Sequence, residues 1–297
     1  MVAVIGSNAI EPRCRAPVHE PNDQSQPYAV GIRALGGRQS VMATLSHYII
    51  TRFNPRVSAS SNRGLDPAWL RPRLKVFADL CAPSITRQSL KDFSWLVLFD
   101  DRTASDVRAE ISILAERHRF EPVFLTREFA WWDLAEMLRF RTRRDGRIIT
   151  SRLDNDDALH PEYVEWTQQY FASRSAGLLT FPQGCQLAQG EFYARPYLGN
   201  PFLSRVEPAQ VAQTVYALKH WQHKENGAAR IWTRDAAWLQ VLHEQNLANE
   251  VRGVWRCPSK PTEIFQVPME YLSMEVRGPI QRTRLRIRSV SQLVRRE

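Results

Sequence analysis

The sequence predicts an α/β protein, with a mostly parallel central sheet flanked by helices. Three observations carry this. Short apolar runs of strand type alternate with segments whose apolar residues fall at helical spacing. Several of those runs are apolar throughout, as strands buried on both faces are. Three of them end abruptly in polar residues: Thr51-Arg52 with Asn54, Asp100-Asp101, and Asp154-Asp156-Asp157. In open α/β sheets, ligands bind outside the carboxyl ends of the strands.

Residues 1–43 are rich in Pro, Gly, Ser, Asn, Gln and Arg and lack periodicity, so they read as a loosely packed extension. The first strand is Leu45 to Phe53, broken by Asn54-Pro55. Pro67 to Cys81 has apolar Leu70, Leu74, Phe77, Ala78 and Cys81 at helical spacing, and Pro83-Ser84 marks its boundary. Ile85 to Lys91 reads as a second helical piece, and Ser94 to Phe99 as a buried strand. Ala104 to Arg119 is helical, Glu121 to Leu125 a strand, and Phe129 to Arg143 a helix. Arg147 to Leu153 is the strand that feeds the acidic cluster, and Glu162 to Ser173 the helix after it. Gly177 to Pro182 and Cys185 to Arg195 suggest a hairpin, followed by an aromatic loop, Pro196 to Phe202. Val206 to Trp221 reads as partly helical and Arg234 to Asn249 as a helix. The implied organisation is an extension over 1–43, one domain over 44–256, and a C-terminal extension over 257–297.

The net charge of +9 is uneven. Arg277 to Glu297 holds seven arginines against one glutamate, so the excess sits in a C-terminal tail. Leu285, Ile287, Val290, Leu293 and Val294 interleave with those arginines, as in a segment resting on an anionic membrane face. The plainer alternative is a solvated terminus. No nucleic-acid motif accompanies the charge, so nucleic acid is not an expected partner. No apolar run is long enough to span a membrane, and the N-terminus lacks a basic start before its apolar stretch. Cys14, Cys81, Cys185 and Cys257 form no CxxC, and reduced thiols in a cytoplasmic protein are expected, with peripheral attachment through the tail.

The densest chemistry is Arg152-Leu153-Asp154-Asn155-Asp156-Asp157. Carboxylates packed this closely repel one another unless a cation or an arginine joins them. A Mg²⁺- or Mn²⁺-phosphate site supplies that cation, while a surface turn opening a helix, with Asp157 as its cap, is the alternative. Co-location with the two other polar strand ends favours the metal site.

Four segments in order carry a resemblance: "TRFN" (51–54), "PSITRQSLKDFSWLVLFDD" (83–101), "TSRLDNDDALHPEYV" (150–164) and "WLQVLHEQNLAN" (238–249). Together they resemble the bacterial rhamnosyltransferase family, a branch of glycosyltransferases of GT-A fold, across roughly residues 45 to 255. The resemblance implies a metal-dependent, inverting glycosyltransferase that moves a sugar from a dTDP- or UDP-linked donor to a saccharide or lipid-linked acceptor. Asp154 and Asp156 match the DxD-type positions, Asp156 as principal ligand of Mn²⁺ or Mg²⁺ and Asp154 as ribose or metal contact. Asp157 is left as a supporting group or the helix cap. Arg152 is expected to pair with Asp154 or reach a phosphate. Asp100 is expected at the nucleobase, and Thr51, Arg52 and Asn54 where the first strand meets the nucleotide. His243 is expected as a late metal or diphosphate contact, ahead of His220 and His223. Asp235 is preferred to Glu225 and Glu191 as the general base an inverting transfer needs. Two other classes remain: another metal-dependent phosphate-ester enzyme such as a nucleotidyltransferase, and a non-catalytic basic membrane-surface binder.

Overall fold

The computed structural model describes residues 44–57, 62–219, 222, 226–243, 251–255 and 260–272. The basic tail, His220, His223 and Glu225 lie outside the described residues, as does nearly all of the N-terminal extension.

A seven-stranded sheet forms the centre. Its strands are β1 (Leu45–Arg52), β2 (Ser94–Asp100), β3 (Glu121–Leu125), β4 (Arg147–Asp154), β6 (Gly177–Thr180), β9 (Leu203–Pro208) and β10 (Ala229–Arg230). Their order is β10-β6-β9-β4-β1-β2-β3, and only β9 runs against its neighbours β4 and β6. Helices cover both faces. On one side α1 (Pro67–Val76), α3 (Ser105–His118) and α5 (Tyr163–Phe171) contribute Leu70, Leu74, Val107, Ile111, Tyr163 and Phe171 to a core with Ile49, Val97 and Ile149. On the other, α4 (Trp131–Arg141) packs Leu134 and Leu138 on Ile50, Leu96 and Leu98. The predicted α/β class, with a mainly parallel sheet between helices, is the fold observed.

α1 starts where Asp66 accepts from the Ala68 amide, with Pro67 in the first turn. It does not stop at Pro83-Ser84. A π-helical turn over Phe77–Cys81 continues into α2 (Ala82–Thr86). Proline lacks an amide donor and crowds the carbonyl four residues back; the widened turn before it lets the helix pass through Pro83.

A second, five-stranded sheet has the order β12-β8-β7-β11-β5. It comprises β5 (Ala158–Leu159), β7 (Cys185–Ala188), β8 (Glu191–Ala194), β11 (Trp238–Leu242) and β12 (Val254–Trp255). The hairpin predicted between Gly177 and Arg195 resolves into two parts. β6 joins the large sheet, while β7 and β8 form the hairpin over Gln189-Gly190, both at positive φ. Arg234 to Asn249 is not helical where it is described: Trp238–Leu242 is β11, parallel to β7 and antiparallel to β5. Trp238 faces the first core, while Leu239 and Val241 face a third cluster with Leu80 and Cys185. Burial on two sides gives a short run that helix and strand periods fit equally. Val206 to Trp221 likewise opens as strand β9 and continues in two short 3₁₀ turns. Cys185 is disulfide-bonded, which corrects the expectation of reduced thiols there; Cys81 is a buried free thiol.

Beyond the second sheet, α6 (Pro261–Phe265) and the turn Met269–Tyr271 strap back over α1 and its π-helical turn. Phe265 and Val267 are buried in the third cluster. Lys75 bonds Glu270 at 2.7 Å and Asp79 at 2.6 Å, and the Tyr271 hydroxyl donates to Asp79 at 2.7 Å. No helix among the described residues is long and apolar enough to cross a membrane.

Trp238 is fully buried, stacked on Phe202 at 4.8 Å between ring centroids. Its indole also lies against Gly184, where an added Cβ would stand 2.2 Å from a ring carbon. Gly184→Ala is expected to destabilise by about 3 kcal/mol, since overpacking of this kind moves an aromatic ring and not a flexible tip. Urea denaturation of the two proteins side by side checks it; an unchanged midpoint would show that the indole has room to shift.

Candidate functional site

β4 belongs to the large sheet and β5 to the second, so the acidic turn is where the chain leaves one sheet for the other. The Asp157 amide donates to the Asp154 carbonyl at 3.3 Å, closing the turn. Its four side chains part ways. Asp154, a third exposed, faces Arg152 at 3.3 Å. Asn155 is buried and donates to the Phe53 carbonyl at 2.9 Å, tying the turn to the end of β1. Asp156 meets Arg73 and His243. Asp157 turns inward and accepts from the Val241 amide at 3.0 Å.

Asp157 is therefore not a helix cap: α5 begins six residues later, at Tyr163, with Glu162 in the cap position. It joins β5 to β11 from a fully buried position. Burial first, then the charges of Asp156 and Asp154, push its carboxyl well above the ordinary range. The same three carboxylates, after burial, raise the Cys81 thiol, which donates to the Asp154 carbonyl.

One oxygen of Asp156, Oδ2, takes both main contacts. His243 Nε2 lies 3.0 Å from it and Arg73 Nη1 3.3 Å. His243 arrives at the end of strand β11, not on a helix; the β5–β11 pairing brings it to Asp156. Arg73 also donates to Asn155 Oδ1 at 2.8 Å, and its guanidinium stands 4.7 Å from the Trp69 ring centroid. Trp69 and Arg73 are one helical turn apart on α1.

Beside this turn opens a cleft of about 310 Å³ lined by Arg52, Asn54, Arg56, Arg63, Trp69, Arg73 and Asp100, among others. Four arginines and an aromatic wall suit an anion with a flat ring. Arg52 projects over Tyr216 at 4.9 Å and Phe129 at 5.6 Å, and Arg152 stands 5.5 Å from the Tyr216 ring. The Tyr216 phenol donates to the Ile50 carbonyl at 3.0 Å, fixing the ring between two guanidiniums. Burial pushes that phenol above its ordinary value.

The other sequence candidates divide. Asn54 bridges β1 and β2: its amide nitrogen donates to the Gly64 carbonyl and Thr103 Oγ1, and its oxygen accepts from the Asp100 amide. Asp100 is almost fully buried and held by Arg102 at 2.8 and 3.1 Å and by Arg56 at 3.5 Å. Hydrogen bonds from Arg102 hold its carboxyl far below the usual carboxylate range. Thr51 is not brought into the cleft. Neighbours on a strand face opposite ways, and Thr51 accepts from the Trp95 indole in the core at 3.0 Å. Asp235 is not brought to Asp156 either. It precedes β11, at the end where Trp238 pairs with Leu159, and its charge acts on His160.

Asp156 and His243 could supply two ligands to a divalent cation: their atoms, hydrogen-bonded here at 3.0 Å, stand as far apart as adjacent ligands of an octahedral ion with bonds of about 2.1 Å. Among the described residues, no group of three or more His, Cys, Asp or Glu converges to hold a metal. Such a cation would take its remaining ligands from water or phosphate, as Mg²⁺-type ions do.

A family model described as "Putative rhamnosyl transferase" matches residues 52–254. The chain is also similar in fold to Staphylococcus aureus TarS 1–349 bound to UDP, with a TM-score of 0.40 and 10% identity over 66% of this chain and 60% of that one. With TarS 1–349 bound to UDP-GlcNAc, the TM-score is 0.43 and the identity 8%, over 85% and 73%. A crystal structure described as a putative nucleotide-diphospho-sugar transferase, from Desulfovibrio desulfuricans G20, gives 0.36 and 7%, over 67% and 82%. The chain thus spans about three fifths of TarS 1–349, and 37% of the longer TarS chain. No curated protein matches.

Proposed function

The chain belongs to the rhamnosyl transferase family and is a glycosyltransferase, and from that premise we propose that it is metal-dependent and inverting, taking its sugar from a dTDP- or UDP-linked donor. The acceptor is a saccharide or a lipid-linked saccharide. The observation that carries the reading is the Asp156–His243 pair, set at the seam of two sheets beside an arginine-lined cleft.

The cleft orients the donor. Its aromatic wall at Trp69 and its cationic rim suit a nucleoside diphosphate. The buried Nε atoms of Arg52 and Arg152 have no hydrogen-bond partner among the described residues, and buried donors seek acceptors such as phosphate oxygens. Tyr216 fixes both guanidiniums in advance, so little freedom is lost when an anion arrives. Asp154, the more exposed carboxylate, would meet the ribose hydroxyls or the cation. Asp100 and Asn54 hold the ends of β1 and β2 together at the nucleobase end. Asp156 and His243 would hold Mn²⁺ or Mg²⁺, which when bound neutralises charge on the departing diphosphate.

The test uses purified full-length protein, Mn²⁺ or Mg²⁺, a panel of dTDP- and UDP-sugars, and saccharide acceptors. Metal-dependent release of nucleoside diphosphate, with an inverted anomeric centre in the product by NMR, is the expected result. Release of pyrophosphate would point to a nucleotidyltransferase instead. A nucleoside diphosphate at a hundred times its Kd should also raise stability by about 2.7 kcal/mol, and the same concentration should raise it less without the metal.

A further inference from the structure

The geometry points to Arg73 as a stored phosphate ligand: its guanidinium occupies Asp156 in the cation-free protein and turns to the donor's diphosphate when a divalent cation takes that oxygen. This rests on the metal reading above.

Three observations combine. First, Arg73 and His243 converge on the same atom, Asp156 Oδ2, at 3.3 and 3.0 Å. His243 can offer a cation a lone pair on Nε2 by carrying its proton on Nδ1; a guanidinium has none to offer in any form and is repelled. Arg73 is therefore the contact that must leave. Second, Arg73 has somewhere to stay. Its second bond, to Asn155 at 2.8 Å, is the shorter one, and the Trp69 ring supports its plane. Asn155 is itself pinned to the Phe53 carbonyl. Both bonds leave Nη1, so losing Asp156 frees one N–H of that nitrogen without releasing the side chain to solvent. Third, Arg73 lines the same cleft as Arg52 and Arg56. The freed N–H can then serve an anion bound in that cleft, adding a charge-assisted bond to its phosphate oxygens.

The consequence is a coupling. Cation binding alone has to displace a guanidinium, so it is weakened. With a nucleoside diphosphate present, the displaced guanidinium gains a new anion, and each ligand tightens the other by the same factor.

The experiment measures Mn²⁺ affinity of the full-length chain by electron paramagnetic resonance, alone and with saturating UDP or dTDP. The proteins are wild type, Arg73→Gln and Arg73→Lys, each checked for cooperative melting. Arg73→Gln should bind Mn²⁺ alone roughly tenfold more tightly than wild type, and the tightening by nucleoside diphosphate should shrink by a similar factor. Arg73→Lys keeps a competing charge without the planar fork and should fall between. Equal or weaker Mn²⁺ binding by both variants overturns the inference and leaves the metal reading standing. Absence of Mn²⁺ binding in all three proteins overturns both.

Discussion

Asp156→Asn is expected to lower kcat for sugar transfer by roughly 10²- to 10³-fold, the range seen when one preorganised stabiliser of developing charge is removed. Asn keeps the shape and one acceptor oxygen, so the turn can still close and Arg73 keeps its bond to Asn155. What disappears is the one charged ligand that the turn presents to His243. Nucleoside diphosphate binding without metal should survive, because Arg52, Arg152 and the cleft wall are untouched. The measurement is steady-state transfer over a range of Mn²⁺, with a thermal melt as a folding control. Wild-type kcat in a folded Asp156→Asn protein would sink the assignment of this turn, whatever happens to KM.

The second large effect concerns stability in mild acid. His47 on β1 is buried, and burial lowers its pKa from 6.5 to about 3. It sits in a chain of polar groups that crosses the sheet. Gln168 lies 3.4 Å from its Nδ1, its Nε2 lies 2.8 Å from Ser151 Oγ, and Ser151 lies 2.6 Å from Ser204. The Tyr163 hydroxyl, beside Ser204, donates to the Phe202 carbonyl. A neutral ring with hydrogen on Nε2 satisfies every link; an imidazolium would face the Gln168 amide with a second donor.

Above pH 6.5 the ring is neutral whether folded or unfolded and costs nothing. As pH falls below 6.5 the unfolded chain takes up a proton that the folded chain refuses. Stability then drops by about 1.4 kcal/mol per pH unit, and the loss approaches about 5 kcal/mol near pH 3. Urea midpoints between pH 7.5 and 5 should therefore fall steeply in wild type. His47→Gln, less stable at neutral pH, should show a shallower fall over that window. Parallel curves for the two proteins would show that the ring does not control acid lability.

Much of this was legible in the sequence up to residue 171. There β1, β2 and β4 are buried runs and the longer helices each carry an apolar stripe, so period and composition agree. The acidic turn was legible because three carboxylates cannot be packed together without a reason. Beyond it, strands are short and buried on two sides by different clusters, which is why Trp238–Leu242 resembled a helix. Residue roles were harder. Arg73 sits in a helix among other arginines, and only its spacing from Trp69 sets it apart; its meeting with Asp156 is a contact across 83 positions. Thr51 was misplaced because adjacency in sequence hides the alternation of a strand. Asp235 was chosen by order along the chain, and the pairing of β11 with β5 carries it to the wrong end.

The strap that closes over α1 also bears on how far the matched segment can be treated as a transplantable cassette. The stretch matched by the family model, 52–254, contains Arg73, Asp154, Asp156 and His243, and lacks Phe265, Val267, Glu270 and Tyr271. A chimera exchanging only that stretch would carry the proposed site into a host without the wedge behind Leu80 or the brace on Asp79. Grafts between relatives should therefore take residues through 272, so that the helix bearing Arg73 arrives with its own buttress.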